Sequence, residues 1–203
     1  MIMRRFGMIA VFIMGACLIA SCASTPSNQA DVIGVWKTNN YNKKSSKFLI
    51  ISVSDELGIR EKVESMMVSR FEKEGLRATA SFDIMPADEE ISRETVKKVI
   101  KGKDLDAVLV SRLLSVEQSA KFVPPSPDTN FDNSFDQLIP IPPTAAHMEH
   151  QSVTSVEISL FDIASENLVW SMKVRAVDYD NVTELVNNLT TIVVNDLRTK
   201  GLI

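Results

Sequence analysis

The chain has 203 residues, with 22 Lys or Arg against 26 Asp or Glu and a formal net charge of −4 at pH 7. This acidic balance argues against nucleic acid or an anionic lipid surface as a partner, because both reward clustered basic side chains. A chain of this length buries one good hydrophobic core, so composition predicts a single folded domain.

The first 22 residues combine a basic start, a short apolar run and a cysteine. Arg4-Arg5 precedes the run Phe6–Ile19, which at about 14 residues is shorter than the roughly 20 needed to span a bilayer as a helix. Ile19-Ala20-Ser21-Cys22 closes the segment. This is the pattern of a lipobox, in which small residues fit the signal peptidase and the cysteine thiol receives diacylglycerol. We predict a lipoprotein signal peptide over residues 1–21 and lipidation at Cys22, the alternative being an uncleaved anchor with an incidental cysteine.

Lipidation at Cys22 fixes the predicted location of the mature chain. Ala23, rather than Asp, follows the modified cysteine, which resembles the sorting pattern for the outer membrane in bacteria with two membranes. The predicted location is therefore the periplasmic face of the outer membrane. Two or three acyl chains, at about 0.8 kcal/mol per buried methylene, make such attachment practically permanent. The mature chain then needs no membrane-binding surface of its own.

The residues after the cysteine are mostly small and polar, with Pro26, Ser27, Asn28 and Gln29. They predict a flexible tether over 22–35 and a single folded domain over 36–203. Trp36 and Tyr41 are expected to cover an edge of that domain.

The next part of the chain alternates apolar strands with amphipathic helices. Lys47–Val53 is a continuous apolar run rich in β-branched residues, which predicts a strand buried on both faces. A helix ending at Gly75 follows, with Arg60 and Glu64 assigned to its solvent side. The pattern continues with a strand over Arg77–Met85, a helix over Asp88–Ile100 and a strand over Asp106–Leu114. Regular alternation of this kind predicts parallel strands.

The last part of the chain predicts an antiparallel hairpin and a closing helix. Apolar residues alternate with polar ones over 156–160 and 168–176, and both apolar sets carry even numbers. Opposed residues must therefore have an even index sum. A sum of 330 places Leu160 opposite Trp170; the competing sum of 328 needs a three-residue loop that lacks the usual glycine. A helix follows, from an Asn181 cap to Gly201. The predicted fold is α/β, β-α-β-α-β-β-β-α, with a mixed sheet packed by helices.

A proline-rich segment over 122–150 separates the third predicted strand from the hairpin. Its six prolines preclude regular ladder pairing, and loops this long are functional or disordered. Phe131 and Phe135 within it are candidate partner anchors, the alternative being that they pin the loop to the body. His147 and His150 lack a third dependable ligand nearby, so no metal site is predicted.

Arg112 is the polar residue that most needs an explanation, because it interrupts an apolar strand where an unpaired guanidinium is costly. The simplest interpretation pairs it with Glu117 or Asp106. The alternative is that Arg112 and Arg60 line an anion-binding cleft at the strand ends. Glycine-rich phosphate loops and a nucleophile elbow are missing from the sequence, so no catalytic residue and no cofactor are predicted.

Several short patterns resemble a family of uncharacterised bacterial outer-membrane lipoproteins. They are Trp36-Lys37 with Tyr41, Arg60 and Glu64 in a helix ending at Gly75, Ala80-Ser81-Phe82 with Pro86, Asp106–Arg112, and Leu160-Phe161-Asp162 with Leu168-Val169-Trp170. The arrangement also looks like the α/β modules of the TolB amino-terminal domain, CsgG and LpoB. The resemblance covers nearly all of the mature chain, and its motifs are structural.

These relatives imply protein–protein work at the cell envelope. The function expected is a non-enzymatic binding or assembly module, held to the membrane by lipid at Cys22. Its partner would be an envelope protein that docks at the sheet edge or at the 122–150 loop. The alternative is a periplasmic binder of a small ligand or anion that uses Arg60 and Arg112.

Overall fold

The computed structural model describes residues 29–54, 56–86, 89–123, 147–179 and 181–203. Its strands are β1 Gln29–Lys37, β2 Lys47–Val53, β3 Arg77–Ala80, β4 Ala107–Val123, β5 His147–Asp162 and β6 Asn167–Val177. Its helices are α1 Leu57–Lys73, α2 Arg93–Ile100 and α3 Val182–Thr199, with a 3-10 turn at Ser81–Asp83.

Across the described residues these strands form one sheet in the order β1-β6-β5-β4-β2-β3. β2 runs parallel to β3 and β4. β5 runs antiparallel to β4, β6 runs antiparallel to β5, and β1 runs antiparallel to β6. Helices α1 and α3 pack on one face, and α2 packs on part of the other. The predicted α/β class with a mixed sheet is confirmed, and the predicted order of elements is found with β1 added in front.

The larger hydrophobic core lies between the sheet and helices α1 and α3. Phe48 and Phe71 are fully buried there, with ring centroids 5.1 Å apart in an edge-to-face arrangement, a favoured geometry for aromatic pairs. Trp170 is also fully buried, and its Nε1 donates to Asp196 Oδ2 over 2.7 Å. A smaller core under α2 contains Leu49, Ile51 and Val108. Both faces of β2 are therefore covered, as its continuous apolar run predicts.

The ends of the helices test the sequence signals that predicted where each helix begins and ends. Gly75 and Gly201 follow α1 and α3 with φ of +80° and +67°, a left-handed conformation that glycine adopts without strain. Helix α2 begins at Arg93 rather than Asp88, because Ser92 and Thr95 exchange side-chain-to-backbone hydrogen bonds in a capping box. The predicted helix was therefore too long at its start.

The second predicted strand is also shorter than expected. β3 ends at Ala80 instead of Met85, and the chain turns into the 3-10 segment at Ser81. The Ser81 side chain is fully buried and hydrogen-bonded to helix α1. This contact with a distant part of the sequence ends the strand.

The predicted tether over 22–35 is corrected at its C-terminal part. Residues 29–35 belong to β1, which pairs with β6 from Gln29 opposite Val177 to Lys37 opposite Trp170. Pairing with β6 supplies the interstrand hydrogen bonds of this segment. Residues 22–28 lie outside the described residues.

The predicted hairpin register is confirmed. Leu160 lies opposite Trp170 and Glu157 opposite Lys173, both with the index sum of 330. The strand before it is much longer than predicted, since β4 continues to Val123 and pairs with β5 back to His147. The proline-rich segment is therefore narrower than 122–150, and 124–146 lie outside the described residues.

Candidate functional site

The first surface that stands out is the outer edge of β1, the edge strand of the sheet in the described part of the chain. Four of its apolar side chains are exposed: Val32, Ile33, Val35 and Trp36, the last by 48%. The ladder with β6 is irregular between Val32 and Gly34. Edge strands that present apolar side chains and outward backbone groups are templates for association with another chain. We call these four residues the apolar edge.

A second exposed apolar surface lies at the carboxyl ends of the parallel strands. Val53 at the end of β2 pairs with Arg112 of β4, and beyond that pair β4 continues without a described neighbour on the β2 side. Leu113 and Val116 are 55% and 57% exposed. We call the set the apolar end; its six exposed members are Val53, Leu57, Ile59, Leu113, Leu114 and Val116.

Arg60 and Glu64 form a buried ion pair, which corrects their assignment to the solvent side of α1. Glu64 is fully buried, and its Oε1 accepts from Arg60 Nε at 3.1 Å, Ser52 N–H at 2.9 Å and Ser81 Oγ at 2.7 Å. Its Oε2 accepts from Phe82 N–H at 3.1 Å. Arg60 Nη2 also donates to Ser81 Oγ at 2.7 Å. The network joins α1 to the ends of β2 and β3, and both charges have partners in the protein.

Arg112 pairs across the sheet with Glu157, Nη2 to Oε2 at 2.7 Å, rather than with the predicted Glu117 or Asp106. Glu157 also lies 3.7 Å from Lys173 Nζ. Because side chains alternate between faces along a strand, this row lies opposite the face that α1 covers. Arg60 is on α1, so the structure separates the two arginines and does not bring them together in one cleft.

A polar cleft of about 580 Å³ lies at the start of β6, between the turn at 38–41 and residues 165–169. Asp162 at its base accepts from Tyr41 Oη at 3.0 Å and Lys43 Nζ at 2.7 Å, and from the Ser165 backbone and side chain at 2.8 Å each. The carboxylate is therefore engaged with the protein. It fastens the turn after β1 to the β5–β6 connection.

The two titrating groups of this cleft have shifted pKa values. Burial favours the neutral carboxyl of Asp162, but the hydrogen bonds from Lys43 and Ser165 outweigh it and lower the pKa to about 2. Burial, followed by the hydrogen bond to Asp162, raises the pKa of Tyr41 to about 12. At neutral pH the Asp162 side chain is therefore a carboxylate and the Tyr41 side chain is a neutral phenol.

Three sequence-predicted sites lie outside the described residues. These are the lipidation site Cys22 and the candidate partner anchors Phe131 and Phe135. His147 and His150 lie within strand β5. Among the residues that the structure describes, no group of three or more His, Cys, Asp or Glu is placed to hold a metal ion. Nor does any helix there have the length and hydropathy to cross a membrane.

Sequence reasoning missed the apolar edge, although Val32, Ile33, Val35 and Trp36 stand close together in the sequence. That density of β-branched and aromatic residues is the signal that favours a strand there. That Arg60 is buried in an ion pair was also not predicted from the sequence. The available signal was Glu64, which lies four residues later and therefore one helical turn away.

The chain matches no protein-family model and no curated protein sequence. Among solved structures, the PelC dodecamer from Paraburkholderia phytofirmans aligns with a TM-score of 0.45 at 12% identity, covering 82% of this chain and 94% of that one. Lipoprotein GNA1162 from Neisseria meningitidis aligns with a TM-score of 0.42 at 14% identity, covering 75% and 97%. A PDZ domain protein from Parabacteroides distasonis gives a TM-score of 0.35 at 12% identity, covering 79% and 34%. At such low TM-scores these likenesses do not bear on function, and the family resemblance stays a prediction.

Proposed function

We propose that this chain is a lipoprotein, anchored through Cys22 to the periplasmic face of the outer membrane, that acts as a non-enzymatic binding or assembly module. Its partner is an envelope protein that docks on the apolar edge. The single observation that supports this most strongly is β1 itself. An edge strand with exposed Val32, Ile33, Val35 and Trp36 follows the predicted lipidation site by only a few residues.

The apolar edge offers a partner two kinds of contact. A strand added beside β1 would bond to its outward backbone groups, as edge strands do when they are extended by another chain. Val32 and Val35 lie on the helix-covered face, since they pair with the buried Val174 and Met172. Trp36 lies on the opposite face, so a partner can contact apolar side chains on both faces of the edge strand.

The test is photo-crosslinking in intact cells, with a benzophenone amino acid at Ile33 and, as the matched control, at exposed Lys103. We expect one discrete envelope protein to be captured from position 33 and not from 103. Trp36→Lys should abolish the adduct without altering the fold, because Trp36 is half exposed and surface changes usually alter stability by only about 0.5 kcal/mol. Equal, unspecific capture at the two positions would argue against a partner on this edge.

Anchoring is tested separately by incorporation of labelled palmitate into the native chain and into Cys22→Ala. The native chain should take up label and the variant should not. Label in both chains, or in neither, would remove the anchor from the proposal.

A further inference from the structure

A small cavity of about 260 Å³ lies between helices α1 and α3. Four of its lining side chains carry hydrogen-bond donors: Ser69, Arg70 and Lys73 on α1, and Asn187 on α3. No carboxylate of the described residues is among those that line it. Its volume is below the range of about 300–1,000 Å³ that is typical of sites for drug-sized molecules. The cavity therefore suits a small ligand that accepts hydrogen bonds.

Arg70 has a hydrogen-bond donor that the described part of the chain leaves unpaired. Its Nη2 lies 3.1 Å from Glu74 Oε1. Its Nε is buried, and across the described residues it is the only buried side-chain nitrogen or oxygen without a partner. Buried donors are nearly always paired, so each exception calls for an explanation. The Arg70 side chain is 37% exposed, so its guanidinium has room to turn toward an acceptor in the cavity.

The other three donors are also available to a ligand. The side chains of Ser69, Lys73 and Asn187 make no hydrogen bond or ion pair within the described residues. A serine or threonine inside a helix often bonds back to the carbonyl four residues earlier, as Thr190 of α3 does. Ser69 makes no such bond. Because residues three and four apart are neighbours on a helix surface, the three α1 donors lie side by side.

The charge beside the cavity is positive. Glu74 is shared between Arg70 at 3.1 Å and Arg198 at 2.9 Å, so with Lys73 three positive charges stand against one negative charge. Glu72 lies about 200° further round α1 from Arg70, on the other side of the helix. Basic side chains in the last turn of a helix also offset its dipole. The dipole accounts for their charge, but it does not explain a buried Nε–H without an acceptor.

We propose that this cavity binds a phosphate group, as inorganic phosphate or as the phosphomonoester of a small molecule or lipid headgroup. The Arg70 guanidinium pairs with the oxyanion through its fork of N–H donors, and Lys73 supplies a second positive charge. Ser69 and Asn187 donate to the remaining oxygens. A phosphomonoester offers three acceptor oxygens and a charge of about −1.5 to −2 at neutral pH, so it uses these donors more fully than a carboxylate does.

The experiment is isothermal titration calorimetry of inorganic phosphate into the full chain, purified from cells in a neutral detergent. The titrations are made at neutral pH and constant ionic strength. Arg70→Gln and Ser69→Ala change the site. The matched control is Arg93→Gln, because Arg93 is also a helical arginine paired with a glutamate, Glu166 at 3.4 Å, and its helix α2 packs on the other face of the sheet.

We expect saturable binding of one phosphate per chain. Arg70→Gln should weaken it by about tenfold or more, as the loss of a charge-assisted hydrogen bond implies, whereas Arg93→Gln should bind like the native chain. Ser69→Ala should also weaken binding, although it keeps every charge. Glu74→Gln should bind more tightly than the native chain, because it removes the carboxylate that competes for Arg70.

The site is overturned if the native chain shows no saturable binding, or if Arg70→Gln and Arg93→Gln lose affinity equally. Titration with glycerol 3-phosphate and with a soluble short-chain phosphatidic acid separates the two sources of the group. Tighter binding of the first assigns a small phosphorylated molecule, and tighter binding of the second assigns a lipid headgroup. The site depends neither on lipidation at Cys22 nor on a partner at the apolar edge, so it stands or fails separately from the proposed function.

Discussion

The Arg60–Glu64 pair gives the sharpest stability prediction. The change is Glu64→Gln, which keeps the shape of the side chain and removes its charge. Arg60, only 4% exposed, then retains a buried positive charge without a counter-ion. The neutral amide must also serve the N–H groups of Ser52 and Phe82, which the carboxylate accepts in the native protein.

The expected loss is large for a domain of this size. Removing one partner of a buried ion pair costs about 3–5 kcal/mol, and a buried N–H left unpaired costs about 1–3 kcal/mol. The geometry of Gln allows some of these bonds to persist, so we expect a loss of about 4 kcal/mol in the free energy of unfolding. Against a typical total of about 5–15 kcal/mol, the variant is destabilised close to the threshold of folding.

The assay is urea unfolding of residues 22–203 carrying Cys22→Ser, followed by circular dichroism. Exposed Glu61 supplies the matched control, and Glu61→Gln should change the free energy by no more than about 0.5 kcal/mol. The double variant Arg60→Met with Glu64→Gln should be more stable than Glu64→Gln alone, because the unpaired charge is gone. A loss under about 1 kcal/mol for Glu64→Gln, or a double variant that shows the full sum of both single losses, would refute the reasoning.

Three further predictions concern the cleft and two local contacts. Asp162 has its pKa lowered from 3.8 to about 2 in the folded protein, so it stabilises the fold above the unfolded value and loses that effect as the pH falls from about 4 to about 2. In this window the free energy of unfolding of the native chain should fall by roughly 2 kcal/mol more than that of Asp162→Asn. Ser92→Ala removes the hydroxyl that caps α2 by accepting from Thr95 N–H, and should cost about 1 kcal/mol in urea unfolding. Asp196→Ala leaves the buried indole N–H of Trp170 without its acceptor, and should cost about 1–3 kcal/mol, measured by tryptophan fluorescence during unfolding.

Each of these has a matched control. Asp104, an exposed carboxylate paired with Arg77, is the control for Asp162. Asp104→Asn should lose about as much stability as the native chain between about pH 4 and about pH 2, because Asp162 is still present; a reduction of that loss as large as in Asp162→Asn would contradict the role of Asp162. Exposed Ser65 on α1 serves for Ser92, since Ser65→Ala should be nearly neutral. Asp196→Asn keeps an acceptor oxygen, so it should retain most of the stability lost in Asp196→Ala; equal losses would show that the indole bond contributes little.

The elements that the sequence predicts well are those whose pattern is local and strong. The run Lys47–Val53 appears as a strand covered on both faces, and the even-numbered alternation places Leu160 opposite Trp170 as expected. The glycine at 75 ends α1 where its left-handed conformation is needed. In each case one face or one backbone position decides the outcome, so little tertiary information is required.

Some failures depend on contacts between distant parts of the chain, whereas the start of α2 at its Ser92 cap and the Arg60–Glu64 pair were missed although their signals are local. β1 forms because β6 pairs with it. β3 stops at Ala80 because Ser81 is bound to Glu64, and no local propensity encodes that bond. Arg60 looks solvent-facing by helical period, yet it is buried because a carboxylate one turn later compensates it. The apolar end was missed because only the pairing of β2 with β4 brings Val53 beside Arg112 and the residues that follow it.

The nine residues of β1, at the edge of the described sheet, are a length of chain that detachment of this strand would release. They join the rest of that sheet through β6 alone, so a pull on the N-terminus can unzip them one bond at a time while the interior remains intact. With the proposed anchor at Cys22, the connection between the domain and the membrane would then lengthen by about 30 Å at 3.3 Å per residue. Optical-tweezer extension from the N-terminus should show a first step of that length at low force. A single rupture of the whole domain would show that the strand holds no such reserve.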